Sequence, residues 1–258
     1  MSDIKVLIKG KEYTYKKNTL LVDISKDFKD DFISPILCAF VDNVLVDLNY
    51  PISEECSITF LDCTDRVGNK IYQKGLIFLL VCTFNDLYGQ NNKIKVCHSI
   101  DKGINIRSSF KITLEDLSNI KKNMEELINL DLPFSKCIVK RKDAITYFNM
   151  IDNKSKKDSY LYSTDEYVIL YKLKDMYDYF YSIMPLTTGV LKYFNLTYVS
   201  ENNFILQFPI VDEKINIPDY VHHEKLIDAY DKNYKYGKKL NIQSAADVNK
   251  LVSQGSIR

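Results

Sequence analysis

The chain has 258 residues, 46% of them apolar, which is enough for two domains with real cores. Its 35 basic and 34 acidic residues cancel to a formal charge of +1, which argues against a dedicated nucleic-acid clamp and leaves room only for a local basic patch. The longest apolar run, 75–81, falls far short of the ~20 residues that span a bilayer.

The start, Met1-Ser2-Asp3-Ile4-Lys5, is polar and strand-like and does not read as a signal peptide. A cytoplasmic protein with no membrane association is expected, its six cysteines reduced and mostly buried. Residues 2–10 alternate, with Ile4, Val6 and Ile8 on one side, and 12–15 return after a turn at Gly10-Lys11, which predicts a hairpin. A helix is expected over 20–28, capped by Thr19, with Leu20, Ile24 and Phe28 on one face. Strands follow at 36–40, 44–48 and 57–61. The order β-β-α-β-β-β reads as a β-grasp, ubiquitin-like fold. With the acidic-turn hairpin Val41-Asp42-Asn43-Val44, the Asp47-Leu48 after it and Ile58-Thr59-Phe60-Leu61-Asp62 at the exit, residues 1–64 resemble the TGS domain of threonyl-tRNA synthetases and several GTP-binding regulators. The resemblance implies RNA or nucleotide binding, or a docking role.

Arg66-Val67-Gly68-Asn69 is read as a hinge, followed by a long helix over 71–88 that stops at Gly89. Short strands are expected at 93–96 and 104–107. Thr113-Leu114-Glu115-Asp116 is a capping box that opens a helix carrying Leu117, Ile120, Met124 and Leu127 on one side, which must stop before Pro133. A helix over 140–150, a lysine-rich loop over 153–159 and strands at 167–173, 191–199 and 204–208 come next. A helix over 222–236 should end at Gly237. Ser244-Ala245-Ala246-Asp247 is a second capping box, for a helix from 245 to about 252.

The stretch Leu186-Thr187-Thr188-Gly189-Val190-Leu191-Lys192-Tyr193-Phe194, with Asp131-Leu132-Pro133 upstream, resembles the editing domain of threonyl- and alanyl-type tRNA synthetases. That resemblance covers 65–220 and implies an α+β fold. It also locates four places where the family carries ligand-type His and Cys residues. Here they hold Lys74, Phe78, Phe180 and Met184, so the resemblance implies the fold without its chemistry. Lys74, Lys102 and Lys192, with Tyr181, Thr187 and Thr188 beside them, border the inherited groove. Two readings follow: a small anion or nucleoside pocket, or a cavity that Phe78, Phe180 and Met184 have filled.

Three blocks, Tyr72-Gln73-Lys74-Gly75-Leu76, Asp178-Tyr179-Phe180-Tyr181 and Phe204-Ile205-Leu206-Gln207-Phe208-Pro209, resemble bacterial uridine-kinase-type nucleoside kinases with a synthetase-like front end. On that resemblance 221–258 is a helical link toward a kinase domain, and ATP and magnesium would act only there. The glycines at 10, 68, 75, 89, 103, 189, 237 and 255 have neither the spacing of a phosphate-binding loop nor that of a dinucleotide fingerprint. No metal site is expected: Cys97-His98 point to opposite faces of a strand, and His222-His223 is not a ligand set. The expected role is non-catalytic, binding a nucleoside, nucleotide or RNA, or holding copies of the chain together. A tRNA deacylase and a pure assembly module are the rivals.

Overall fold

The structure is a computed structural model and describes residues 3–89, 93–242 and 244–256. Ser2, at the head of the expected first strand, and Arg258, at the end of the expected helical link, lie outside them. The fold is α+β, and the chain divides into two compact units, Met1–Ser135 with Tyr171–Tyr220 and Lys136–Leu170 with Val221–Arg258.

The first unit opens with the hairpin β1 (Asp3–Ile8) and β2 (Lys11–Lys16), turning at Lys9 and Gly10, both at positive φ. A short α1 (Leu21–Ser25) runs into a 3-10 segment, Lys26–Asp31, and β3 (Cys38–Val41), β4 (Val44–Val46) and β5 (Cys56–Leu61) follow. The sheet order is β2-β1-β5-β3-β4, with β1 and β5 parallel, which is a β-grasp. Alternation in β1 sends Ile4, Val6 and Ile8 into a core with Leu21, Ile24, Phe28, Ile58 and Phe60. Thr19 does not cap α1. Its hydroxyl donates to the Lys16 carbonyl at 2.7 Å and closes the preceding turn, so Leu20 stands at the N-cap with no side-chain bond.

The expected hinge is instead the first turn of α2 (Arg66–Tyr88). The Asp65 carboxylate accepts from the Val67 and Gly68 amides at 2.7 and 3.2 Å, a capping signal that starts the helix five residues early. Gly68 looks like a breaker but is a packing glycine, since a Cβ there would overlap the Asp62 carbonyl. The helix does stop at Gly89, at φ +75°.

Two strands, β6 (Ile94–Ile100) and β7 (Gly103–Ser108), precede α3 (Leu114–Asn129), whose Thr113–Asp116 capping box is formed as expected. The chain then makes β8 (Ser135–Lys140), α4 (Arg141–Met150), α5 (Lys154–Leu161) and β9 (Tyr167–Leu173). Residues 153–159 are thus not a loop: the Asn153 side chain accepts from the Lys156 amide and caps α5. After β10 (Met176–Asp178) comes a 3-10 turn, Thr188–Val190, then β11 (Asn195–Ser200) and β12 (Asn203–Gln207). Residues 191–194 do not join the expected strand, because the backbone of Tyr193 is held by a side chain of α2. The resulting antiparallel sheet, β11-β12-β7-β6, turns Ile104, Ile106, Phe204 and Leu206 toward a core shared with Leu76, Leu79 and Leu80 of α2 and with Ile120 and Met124 of α3.

In the second unit Phe148 of α4 stacks on Tyr160 of α5, rings 5.7 Å apart and 13° from parallel. Two helices complete it, α6 (Glu224–Lys239) and α7 (Ala245–Ser253), the latter opened by the Ser244–Asp247 capping box. Gly237 does not end α6. The left-handed residue that ends it is Asn241, at φ +56°, and the Ile242 amide returns to the Gly237 carbonyl at 2.9 Å. Gly237 is required one turn earlier, where a Cβ would press on Ile242.

Candidate functional site

The candidate groove lies along α2 in the first unit. The middle of the helix is buried almost all round, with Leu76, Phe78, Leu79 and Leu80 fully so. Two residues fasten the later chain to it. The Tyr72 hydroxyl accepts from the Tyr193 amide at 2.7 Å and donates to the Tyr193 carbonyl at 3.1 Å, and burial pushes the phenol well above its usual range. The Asn69 amide nitrogen donates to the carbonyls of Cys63 and Pro209 at 2.8 and 2.7 Å. Gly75 lets the chain pass close, for a Cβ there would stand 2.9 Å from Pro185 and 3.0 Å from Leu191.

Phe78 is fully buried, with its ring 5.2 Å from Phe180 and 5.9 Å from Phe134. Met184 is buried in the same core. Three of the four places that the editing resemblance points to are therefore in apolar contact, and the fourth stands above them. The Lys74 ammonium donates to the Tyr181 carbonyl at 2.6 Å. Burial first, and then the nearby charge of Lys70, hold it below the usual lysine range. The Tyr181 side chain is 79% exposed, so only its backbone belongs to this contact.

The Thr-Gly turn is fixed from the end of α3. The fully buried Thr188 hydroxyl donates to the Leu127 carbonyl at 2.6 Å and accepts from the Leu132 amide at 2.9 Å. Gly189 donates its amide to the Asp131 carboxylate at 3.0 Å, and Thr187 pairs with Pro133 as an isolated bridge. Thr187 and Thr188 thus hold the turn to 127–133, which gives Asp131-Leu132-Pro133 its role. Lys102, in the β6–β7 turn, and Lys192 are exposed, and among the described residues neither hydrogen-bonds to Lys74 or Tyr181. Of the residues that the sequence singled out, Phe78 and Phe180 stand side by side and Met184 is buried in the same core. Nothing in the sequence signals the fastening roles of Tyr72, Asn69 and Asp131, whose partners lie 121, 140 and 58 residues away.

Among the described residues no three His, Cys, Asp or Glu side chains gather as a metal set, and no helix is long and apolar enough to cross a membrane. Cys38 and Cys82 are buried, and burial pushes both thiols up to about 12.

No protein-family model matches the chain. Curated relatives do match. A threonine–tRNA ligase of Clostridium kluyveri is 26% identical over 257 residues, covering 93% of this chain and 40% of the ligase. This chain is therefore similar to threonine–tRNA ligases. A ligase of Thermotoga neapolitana is 28% identical over 200 residues, 76% of this chain and 30% of its own length. One from Aquifex aeolicus is 29% identical over 205 residues, with 78% and 32% covered. The ligase-like chain thus spans less than half the length of each of these relatives, and none of the three is a nucleoside kinase.

Proposed function

We propose that the chain is a tRNA-binding region of the threonyl-tRNA-ligase editing type whose groove has closed, so that it holds a tRNA and does not release an amino acid from it. The similarity to a threonine–tRNA ligase over 93% of the chain supports the tRNA half of this reading. The contact of Phe78 with Phe180 and Phe134 carries the other half. Ester hydrolysis needs a placed water with a base or a metal to activate it. Lys74, Phe78, Phe180 and Met184 supply neither thiolate, imidazole nor carboxylate. A division into a β-grasp at 1–64, a degenerate editing domain at 65–220 and a helical link at 221–258 is part of the same proposal. The nucleoside-kinase reading rests on the three sequence blocks alone.

The test is filter binding of a threonine-accepting tRNA transcript, with deacylation of a mischarged tRNA followed in parallel. Binding that weakens between about 50 and 200 mM salt is expected, as phosphate contacts demand. Deacylation should stay at the buffer rate, and the dialysed protein should carry no stoichiometric zinc. No retention of tRNA by folded protein would refute the binding half. Hydrolysis that disappears in Lys74→Ala would put chemistry back in the groove and favour the deacylase.

A further inference from the structure

The near-neutral chain is electrically divided. Fourteen basic and nine acidic residues fall in the second unit, against 21 and 25 in the first, so the net charges are +5 and −4. The first unit also pairs several of its cations: Lys5 with Glu12, Lys9 with Asp31, Lys26 with Asp23, Lys111 with Glu201 and Lys174 with Asp86. In the second unit, Lys232, Lys235 and Lys239 of α6 have no carboxylate partner among the described residues.

Those lysines share one side of α6. At 100° per residue, Lys232, Lys235, Tyr236 and Lys239 fall within an arc of about 100°, which also takes in one acidic residue, Asp228, a turn before Lys232. Of the half-buried residues of the helix, Ile227, Tyr230, Tyr234 and Gly237 fall on the opposite side, and Asp231 lies between that side and Lys235. Tyr236 is 64% exposed between the cations. Complementing the helix dipole accounts for lysines of the last turn such as Lys238 and Lys239. It does not account for Lys232 and Lys235, which lie one to two turns earlier, or for an uncovered aromatic ring among them. Cations spaced along a line with an exposed aromatic face are what a single-stranded nucleic acid requires: ammonium groups for phosphates, and a ring on which a base stacks.

We propose that this face of α6 is an RNA contact, in which Lys232, Lys235 and Lys239 take backbone phosphates and Tyr236 stacks on an unpaired base. It rests on the tRNA-binding reading and names a surface that serves it, on α6 of the second unit. Glutamine is a good helix former, so neutralising the lysines leaves α6 intact, and circular dichroism checks that it does.

The probe is a fluorescein-labelled oligouridylate, with the tRNA transcript as a second ligand. Lys232→Gln/Lys235→Gln/Lys239→Gln should bind both at least tenfold more weakly, with a log–log salt slope shallower by about 2–3. Tyr236→Ala should lose about fivefold or more at an unchanged slope, because stacking releases no counterions. The matched variant Lys5→Gln/Lys9→Gln/Lys26→Gln, which removes paired lysines, should bind like the wild type. Equal losses in the two triple variants, or a wild-type slope in the α6 variant, would overturn the proposal. If the wild type binds tRNA and the α6 variant binds it equally well, this surface alone is wrong. If the wild type binds no RNA, the tRNA reading falls with it.

Discussion

Phe78→Ala tests the proposal that the α2 groove is shut. The ring is fully buried and touches Phe180 and Phe134, with centroids 5.2 and 5.9 Å away. Truncating a buried phenylalanine costs about 3–5 kcal/mol, from lost transfer energy and the cavity that remains. The upper half of that range applies here, because both neighbouring rings lose an aromatic partner. Collapse is also limited: Pro185 and Leu191 already sit against Gly75, one turn away. We expect about 4 kcal/mol for Phe78→Ala. Phe78→Leu keeps most of the volume and should cost about 1.5 kcal/mol or less. Urea unfolding followed by circular dichroism reads this as a shift of midpoint at unchanged slope. A loss below about 1 kcal/mol for Phe78→Ala is the level of a surface substitution. That result would mean that residue 78 faces open space, and the closed-groove argument would fail.

Three further outcomes are expected. Tyr72→Phe removes the hydroxyl that holds both backbone groups of Tyr193 and should cost about 2 kcal/mol in the same assay, since two part-buried backbone groups lose their partner; a change within experimental error would show that water replaces it. Burial and Lys70 disfavour the charged form of Lys74 in the folded chain, so the folded state holds this proton less tightly than the unfolded state, whose lysine titrates near 10.5. The penalty is present at neutral pH and fades as pH rises toward 10.5, so the wild type should gain stability relative to Lys74→Met over that window, and a gain on the acid side would reverse the assignment. Finally, iodoacetamide at pH 8 should leave Cys38 and Cys82 unmodified in the native protein, because thiols pushed up to about 12 in a buried setting hold almost no thiolate; mass spectrometry locates the label, and native labelling of Cys38 would contradict its burial.

Local signals in the sequence were dependable where the chemistry is local. Thr113 with Asp116 and Ser244 with Asp247 each close a capping box within four residues, and Gly89 is a left-handed stop. The alternation of Ile4, Val6 and Ile8 placed β1, and with it the β-grasp. The signals failed where a residue answers to something distant. Gly68 and Gly237 read as breaks, yet each is a glycine because another stretch of backbone passes close by. No side chain of β8 is fully buried, so the strand shows no apolar alternation to read, and β10 is only three residues long. The groove was legible only through resemblance. Nothing in the neighbourhood of Lys74 announces that it meets a carbonyl 107 residues away.

The position of β12 has a consequence for how the protein is made. It is an interior strand, between β11 and β7, yet it is the last strand among the described residues, and Pro209, the second partner of Asn69, follows two residues later. During synthesis the hairpin of β6 and β7 emerges about a hundred residues before the strand that covers it. Until 203–207 arrive, the β7 edge that carries Ile104 and Ile106 offers unpaired amides and carbonyls beside apolar side chains, a surface prone to self-association. A nascent chain halted before 203–207 have emerged would hold a finished β-grasp and an adhesive, half-built sheet, whereas emergence of β12 and Pro209 would bury that edge and let Asn69 close the loop.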